Sequence, residues 1–89
     1  MIKTQITIIN KLGLHARAAA KLATTSARFS SQIQVGVDGK LVDAKSVMSL
    51  MLLAASQGTL LDLEIEGKDE ILASETIAEL INDFFGEGE

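Results

Sequence analysis

The sequence predicts an α+β fold of two layers, an antiparallel sheet with its helices stacked on one face. Three observations predict it. The segments run β-α-β-β-α-β-α with short connections. The strand segments alternate apolar and polar residues, so each asks for cover on one side only. The helical segments gather their apolar residues into stripes. At 89 residues the chain is read as one domain, 1–89, with a tail at 86–89, "GEGE", expected to fray.

Residues 2–9, "IKTQITII", put Ile2, Ile6 and Ile8 on one face at period two, the pattern of a half-buried strand. "NKLG" breaks it. From Ala16 to Ala27 the positions Ala16, Ala19, Ala20, Ala23 and Ala27 recur at helical spacing. A stripe of such small residues lets a helix lie close on a sheet. "QIQVGV", 32–37, alternates with Ile33, Val35 and Val37 inward. Asp38-Gly39 follows, and a two-residue type I′ turn needs positive φ at both central positions, so "KLVDA", 40–44, is the return strand. Ser46 can cap a short helix from Val47 to Leu53, and Gly58 sits where the chain turns away. "LLDLEIE", 60–66, turns Leu61, Leu63 and Ile65 inward and three acids outward, and Gly67 ends it. Asp69 can cap a last helix with Ala73, Ile77, Leu80, Ile81 and Phe84 inward, stopped by Gly86.

Composition excludes several functions. There is no cysteine and one histidine, so neither a disulfide framework, a thiolate metal site nor a multi-histidine metal site is expected, and no cofactor is implied. No apolar run approaches the roughly 20 residues that span a bilayer, and the first residues lack the layout of a secretory signal. A soluble, cytoplasmic protein without membrane insertion is the expectation. The net charge of -4 and three aromatic residues argue against nucleic acid as a partner, since such proteins present basic surface and stacking platforms.

"GLHARAAAKL", 13–22, places the single histidine, His15, at a helix start with Arg17 in the first turn. A helix start offers unpaired N–H groups and a partial positive charge, and so receives anions. The same field, with Arg17, disfavours a charged ring, leaving the imidazole neutral and nucleophilic. A phosphoryl group attached to it meets the amides of Ala16, Arg17 and Ala18 and the guanidinium of Arg17. Gly13 leaves room for a partner to approach. Spacing alone also admits a plainer reading, a capping or exposed histidine and a solvated arginine.

The helix after Ser46 is too apolar for its length. With Leu50, Leu53 and Ala54 inward, Val47, Met48 and Met51 form a second stripe, either buried by the last helix or free to dock a partner. Ser46 itself is a helix cap worth about 1 kcal/mol.

"GLHARAAAKL" together with "DAKSVMSLMLLAASQGT" resembles the HPr family, the histidine-containing phosphocarriers of the bacterial phosphoenolpyruvate-dependent sugar phosphotransferase system. The resemblance covers nearly the whole chain. It implies an open-faced β-sandwich with strand order 1-4-2-3 and three helices on one side. It implies that His15 accepts phosphoryl on Nδ1 from enzyme I and passes it to an enzyme IIA domain, in sugar uptake or a related regulatory relay, that Arg17 steadies the phosphate, and that Val47, Met48 and Met51 form the docking surface. Through the serine of "AKS" it implies regulatory phosphorylation of Ser46 by an ATP-dependent HPr kinase/phosphorylase. The chain departs from the family at two points: Ala18 stands where proline usually follows the arginine, and Leu12 where a polar residue is frequent. Alanine supplies an extra N–H and favours the helix, so the acceptor role survives.

Other classes fare worse. One histidine and one arginine without a partnered base make no complete enzyme site, whereas a carrier's partners bring the rest. In an acyl carrier the attachment serine follows an aspartate in an all-helical chain; here Lys45 precedes Ser46 and strands alternate. The alternative is a regulatory binding module acting through Ser46 and the Val47, Met48 and Met51 patch, without phosphotransfer. A monomer with transient contacts is expected.

Overall fold

The computed structural model describes residues 1–88. Its elements are β1 (Ile2–Thr7), α1 (Ala16–Ala27), β2 (Gln32–Val37), β3 (Lys40–Asp43), α2 (Val47–Leu52), β4 (Leu60–Glu66) and α3 (Glu70–Asn82), with a 3-10 turn at Phe84–Gly86. The four strands form one antiparallel sheet in the order β1-β4-β2-β3. The first strand therefore pairs with the last, and the chain encloses its own middle.

Register follows from burial, because a one-residue slip would turn every apolar side chain to water. Ile2 and Ile33 both lie opposite Ile65, and Val35 lies opposite Leu63 on one side and Val42 on the other. These rows face the core, where Ile33, Val35, Leu61, Leu63 and Ile65 are buried beneath Ala19, Leu22, Leu50, Ala73, Ile77 and Ile81 of the three helices. The other face carries Lys3 opposite Glu64 and Gln5 opposite Asp62, so the sandwich is open on that side. The β2–β3 turn has φ of 54° at Asp38 and 83° at Gly39, the type I′ pattern expected of that dipeptide.

Several expectations from sequence are corrected. Strand β1 ends at Thr7, β3 at Asp43 and α2 at Leu52. Helix α1 keeps its predicted ends but buries Ala18, Ala19, Leu22, Ala23 and Ser26, while Ala16, Ala20 and Ala27 are exposed. The large side chain Leu22 sets the rotation, because it has far more apolar surface to bury than any alanine. Ala54 is exposed at φ 52°, in the left-handed region after α2, and Ala55 takes the inward place. Phe84 is half-buried, whereas Phe85 is fully buried. Helix α3 stops at Asn82 rather than at Gly86, and both phenylalanines have positive φ. Asp69 does not cap α3 with its side chain. Its carboxylate instead accepts from the amides of Ser30 and Ser31, at 2.9 and 3.0 Å, and from the Ser31 hydroxyl.

Candidate functional site

The loop from Ile8 to His15 is held at both ends before it presents anything. The Ile8 amide donates to the Thr59 carbonyl at 2.9 Å, and the Leu14 amide to that of Ala55 at 2.8 Å. Gly13, at φ 66°, lies so close to the segment after α2 that a Cβ there would stand 2.8 Å from the Ser56 Cα. Its missing side chain serves packing within the chain, a correction to the expectation that it makes room for a partner. Between these anchors Asn10 is buried, and its Nδ2 donates to the Gly13 carbonyl at 2.7 Å.

His15 is the N-cap of α1, in extended conformation, and its ring does not cap the helix. The side chain is 25% exposed. Nδ1 lies 3.0 Å from the Gly13 carbonyl and Nε2 3.0 Å from Oε1 of Glu87. Both are oxygen acceptors, so each contact needs a proton on its nitrogen. The two made together describe a ring with both nitrogens protonated rather than the neutral ring expected from sequence; the Glu87 carboxylate, absent from that expectation, is the reason. The other oxygen of Glu87 accepts from Nη1 of Arg17 at 3.1 Å, while the rest of Arg17 is open to water. Lys21, one turn on, donates to the Phe85 carbonyl at 2.8 Å and so pins the segment that brings Glu87 in. Leu12, His15, Arg17, Lys21, Gly86 and Glu87 line a cleft of about 420 Å³.

The predicted histidine and arginine are thus brought together, but through a carboxylate that sequence reasoning placed in a frayed tail. Over 86–88 that expectation gives way to a turn that returns to α1; Glu89 lies outside the described residues. Of the three amides, Ala16 and Arg17 belong to exposed residues and Ala18 to a buried one. Glu87, Lys21 and Asn10 were missed. The spacing of Lys21 to Arg17, four residues on a helix, was available as a signal; for Glu87 and Asn10 no local pattern exists.

Ser46 caps α2, its hydroxyl accepting from the Ser49 amide at 3.3 Å. Lys45 donates to the Phe29 carbonyl at 2.8 Å, fixing the start of α2 to the end of α1. Leu50 is buried, Val47 and Met51 are exposed, and Met48 and Leu52 are 74% and 82% exposed. The second apolar stripe is therefore not covered by any of the described residues, and Leu52 at the end of α2 adds to the exposed apolar surface.

An imidazole, two cations and a helix start can hold an anion and pass it on; with the open-faced sandwich around them they define a small phosphoryl carrier. Comparison with known proteins agrees. The family model described as "PTS HPr component phosphorylation site" matches residues 2–83. The chain is 49% identical over 89 residues to the phosphocarrier protein HPr of Neisseria meningitidis, covering 100% of both chains. It is 54% identical over 86 residues to that of Pseudomonas putida, covering 96% of both. The crystal structure of HPr-C-His from Thermoanaerobacter tengcongensis superposes with a TM-score of 0.93 at 48% identity, over 98% of each chain. The chain belongs to the HPr family of the bacterial phosphotransferase system. It is a carrier rather than an enzyme, relaying phosphoryl groups from enzyme I to enzyme IIA domains through a histidine, with regulation at a serine. Among the described residues no helix is long and apolar enough to cross a membrane.

Proposed function

We propose that His15 carries the phosphoryl group on Nδ1. The observation that supports this most is the placement of the chain's one histidine at the start of α1, partly exposed in the cleft it shares with Arg17 and Lys21. In the transfer, Nδ1 gives its proton to water and turns off the Gly13 carbonyl. Its lone pair forms a P–N bond as the P–N bond of the enzyme I phosphohistidine breaks, and that bond's electron pair stays with the donor ring. Nε2 keeps its proton, held by Glu87. Arg17 exchanges Glu87 for the phosphate, and the first-turn amides of Ala16, Arg17 and Ala18 add the field of the helix start. The reverse sequence delivers the group to an enzyme IIA domain.

Ser46 is the regulatory serine in this reading. A phosphate there suits a helix start and leaves the fold intact, but it sets about -1.5 to -2 charges beside Val47, Met48 and Met51, the docking face. The modifying enzyme is an HPr kinase/phosphorylase. Incubation with phosphoenolpyruvate and enzyme I tests the acceptor: the wild-type chain gains one acid-labile, base-stable phosphate and His15→Ala gains none. A wild-type chain that takes no phosphate overturns the assignment and favours a regulatory binding module.

A further inference from the structure

We propose that Asn10 is a positioning residue for phosphoryl transfer, keeping the Gly13 carbonyl paired whenever His15 leaves it. The proposal rests on His15 being the acceptor.

The segment from Asn10 to Gly13 closes on itself. The Gly13 amide donates to the Asn10 carbonyl at 3.2 Å, and Nδ2 of Asn10 donates back to the Gly13 carbonyl at 2.7 Å. Nδ1 of His15 donates to that same oxygen at 3.0 Å. A carbonyl only accepts, so the Asn10 amide has one possible orientation, with its nitrogen toward Gly13. Its Oδ1 is buried and has no hydrogen-bond partner among the described residues. A buried acceptor without a partner weakens a fold. Stability alone is therefore a poor reason for asparagine at this position, where leucine has nearly the same shape. What asparagine adds is one donor, aimed at the oxygen that the reactive nitrogen also uses.

A protonated Nδ1 cannot attack phosphorus. The reactive ring has a bare lone pair there, which repels the lone pairs of the Gly13 oxygen, so the bond between them must be given up before each transfer. Gly13 is buried. With Asn10 absent, its carbonyl would then lose both of its hydrogen bonds at a largely buried position, and the ring would be held in the unreactive form. Asn10 makes the shorter of the two bonds to this oxygen and does not depend on the state of the ring. It removes that penalty from both charging and discharging, and it holds the loop in place while the ring turns.

The test uses Asn10→Leu, Asn10→Ala and, as a control for stability alone, Ile77→Val in the core of α3. Each is charged by enzyme I and phosphoenolpyruvate, with denaturant unfolding measured alongside. Both Asn10 variants should accept phosphoryl about tenfold more slowly, the size expected of one buried carbonyl left unpaired. The loss should fall on kcat with KM for enzyme I unchanged, because the docking face is untouched. Nitrogen NMR at fixed pH should show a larger share of Nδ1 protonated. Asn10→Leu should be no less stable than Asn10→Ala, and Ile77→Val should transfer at the wild-type rate. Folded Asn10 variants that transfer at the wild-type rate, or a loss carried by KM or matched by Ile77→Val, would overturn the proposal. A wild-type chain phosphorylated at a residue other than His15 would instead overturn the acceptor assignment beneath it.

Discussion

At His15 two oxygens compete for the ring from opposite sides, the Gly13 carbonyl at Nδ1 and the Glu87 carboxylate at Nε2. A phosphoryl group on Nδ1 brings two negative charges close to that carboxylate. Like charges a few ångströms apart in a solvated cleft repel by roughly 1 kcal/mol or less. Glu87→Gln keeps an acceptor for Nε2 and removes the charge. It should raise the equilibrium level of phosphohistidine about two- to fivefold, read by phosphorus NMR against phosphoenolpyruvate and pyruvate at fixed ratio; an unchanged level would show that the tail departs when phosphate arrives. His15 and Arg17 were legible in the sequence because a helix start is a local pattern. Glu87 was not, since its contacts cross 70 residues of chain to Arg17 and nothing around it is periodic.

At the scale of elements, the end of α2 carries a residue out of place. Ala54 follows the C-cap Leu53 and sits at φ 52°, a left-handed position where the Cβ meets backbone and glycine is preferred. The Ala54→Gly variant should therefore be more stable by about 1 kcal/mol. For a domain of this size that is a rise of roughly 4–8 °C in the thermal midpoint, measured by calorimetry. A lower midpoint would mean that the chain relieves the strain elsewhere. The strand alternation read true because period two is set by one-sided burial. The rotation of α1 did not, because alanines supply too little apolar surface to decide it and Leu22, outside the alanine pattern, does. Likewise the exposed stripe of α2 was legible as an excess of large apolar residues, while the exposure of Leu52 depended on where the helix stops.

At the scale of the molecule, Asp69 joins the start of α3 to the segment that leads into β2. The Ser31 hydroxyl first, then the Ser30 amide, hold its carboxyl down at about 2, below the ordinary 3.8. Glu70 is lowered as well, by the N-terminal ammonium and then by the Gly67 amide. A carboxyl with a depressed folded pKa stabilises fully above its unfolded value, and that contribution is lost as pH falls through the folded one. Wild-type stability should thus fall more steeply than that of Asp69→Asn between pH 3.8 and about 2, with the two curves converging at the acid end. Parallel curves in acid denaturation would sink this assignment.

The sequence by itself determined the element order, the inward faces of the strands, the turn at Asp38-Gly39 and the placing of His15 and Arg17 at a helix start, because each is written within a few neighbouring residues as periodicity, propensity or cap. Tertiary structure alone decided that Glu87 bridges His15 to Arg17, that Asn10 and His15 share one carbonyl oxygen, that Asp69 binds Ser30 and Ser31 instead of its own helix, and that Phe85 rather than Phe84 enters the core. Those outcomes turn on which donors and acceptors the packed fold leaves unpaired, and hydrogen-bond partners distant in sequence leave no periodic trace in the chain.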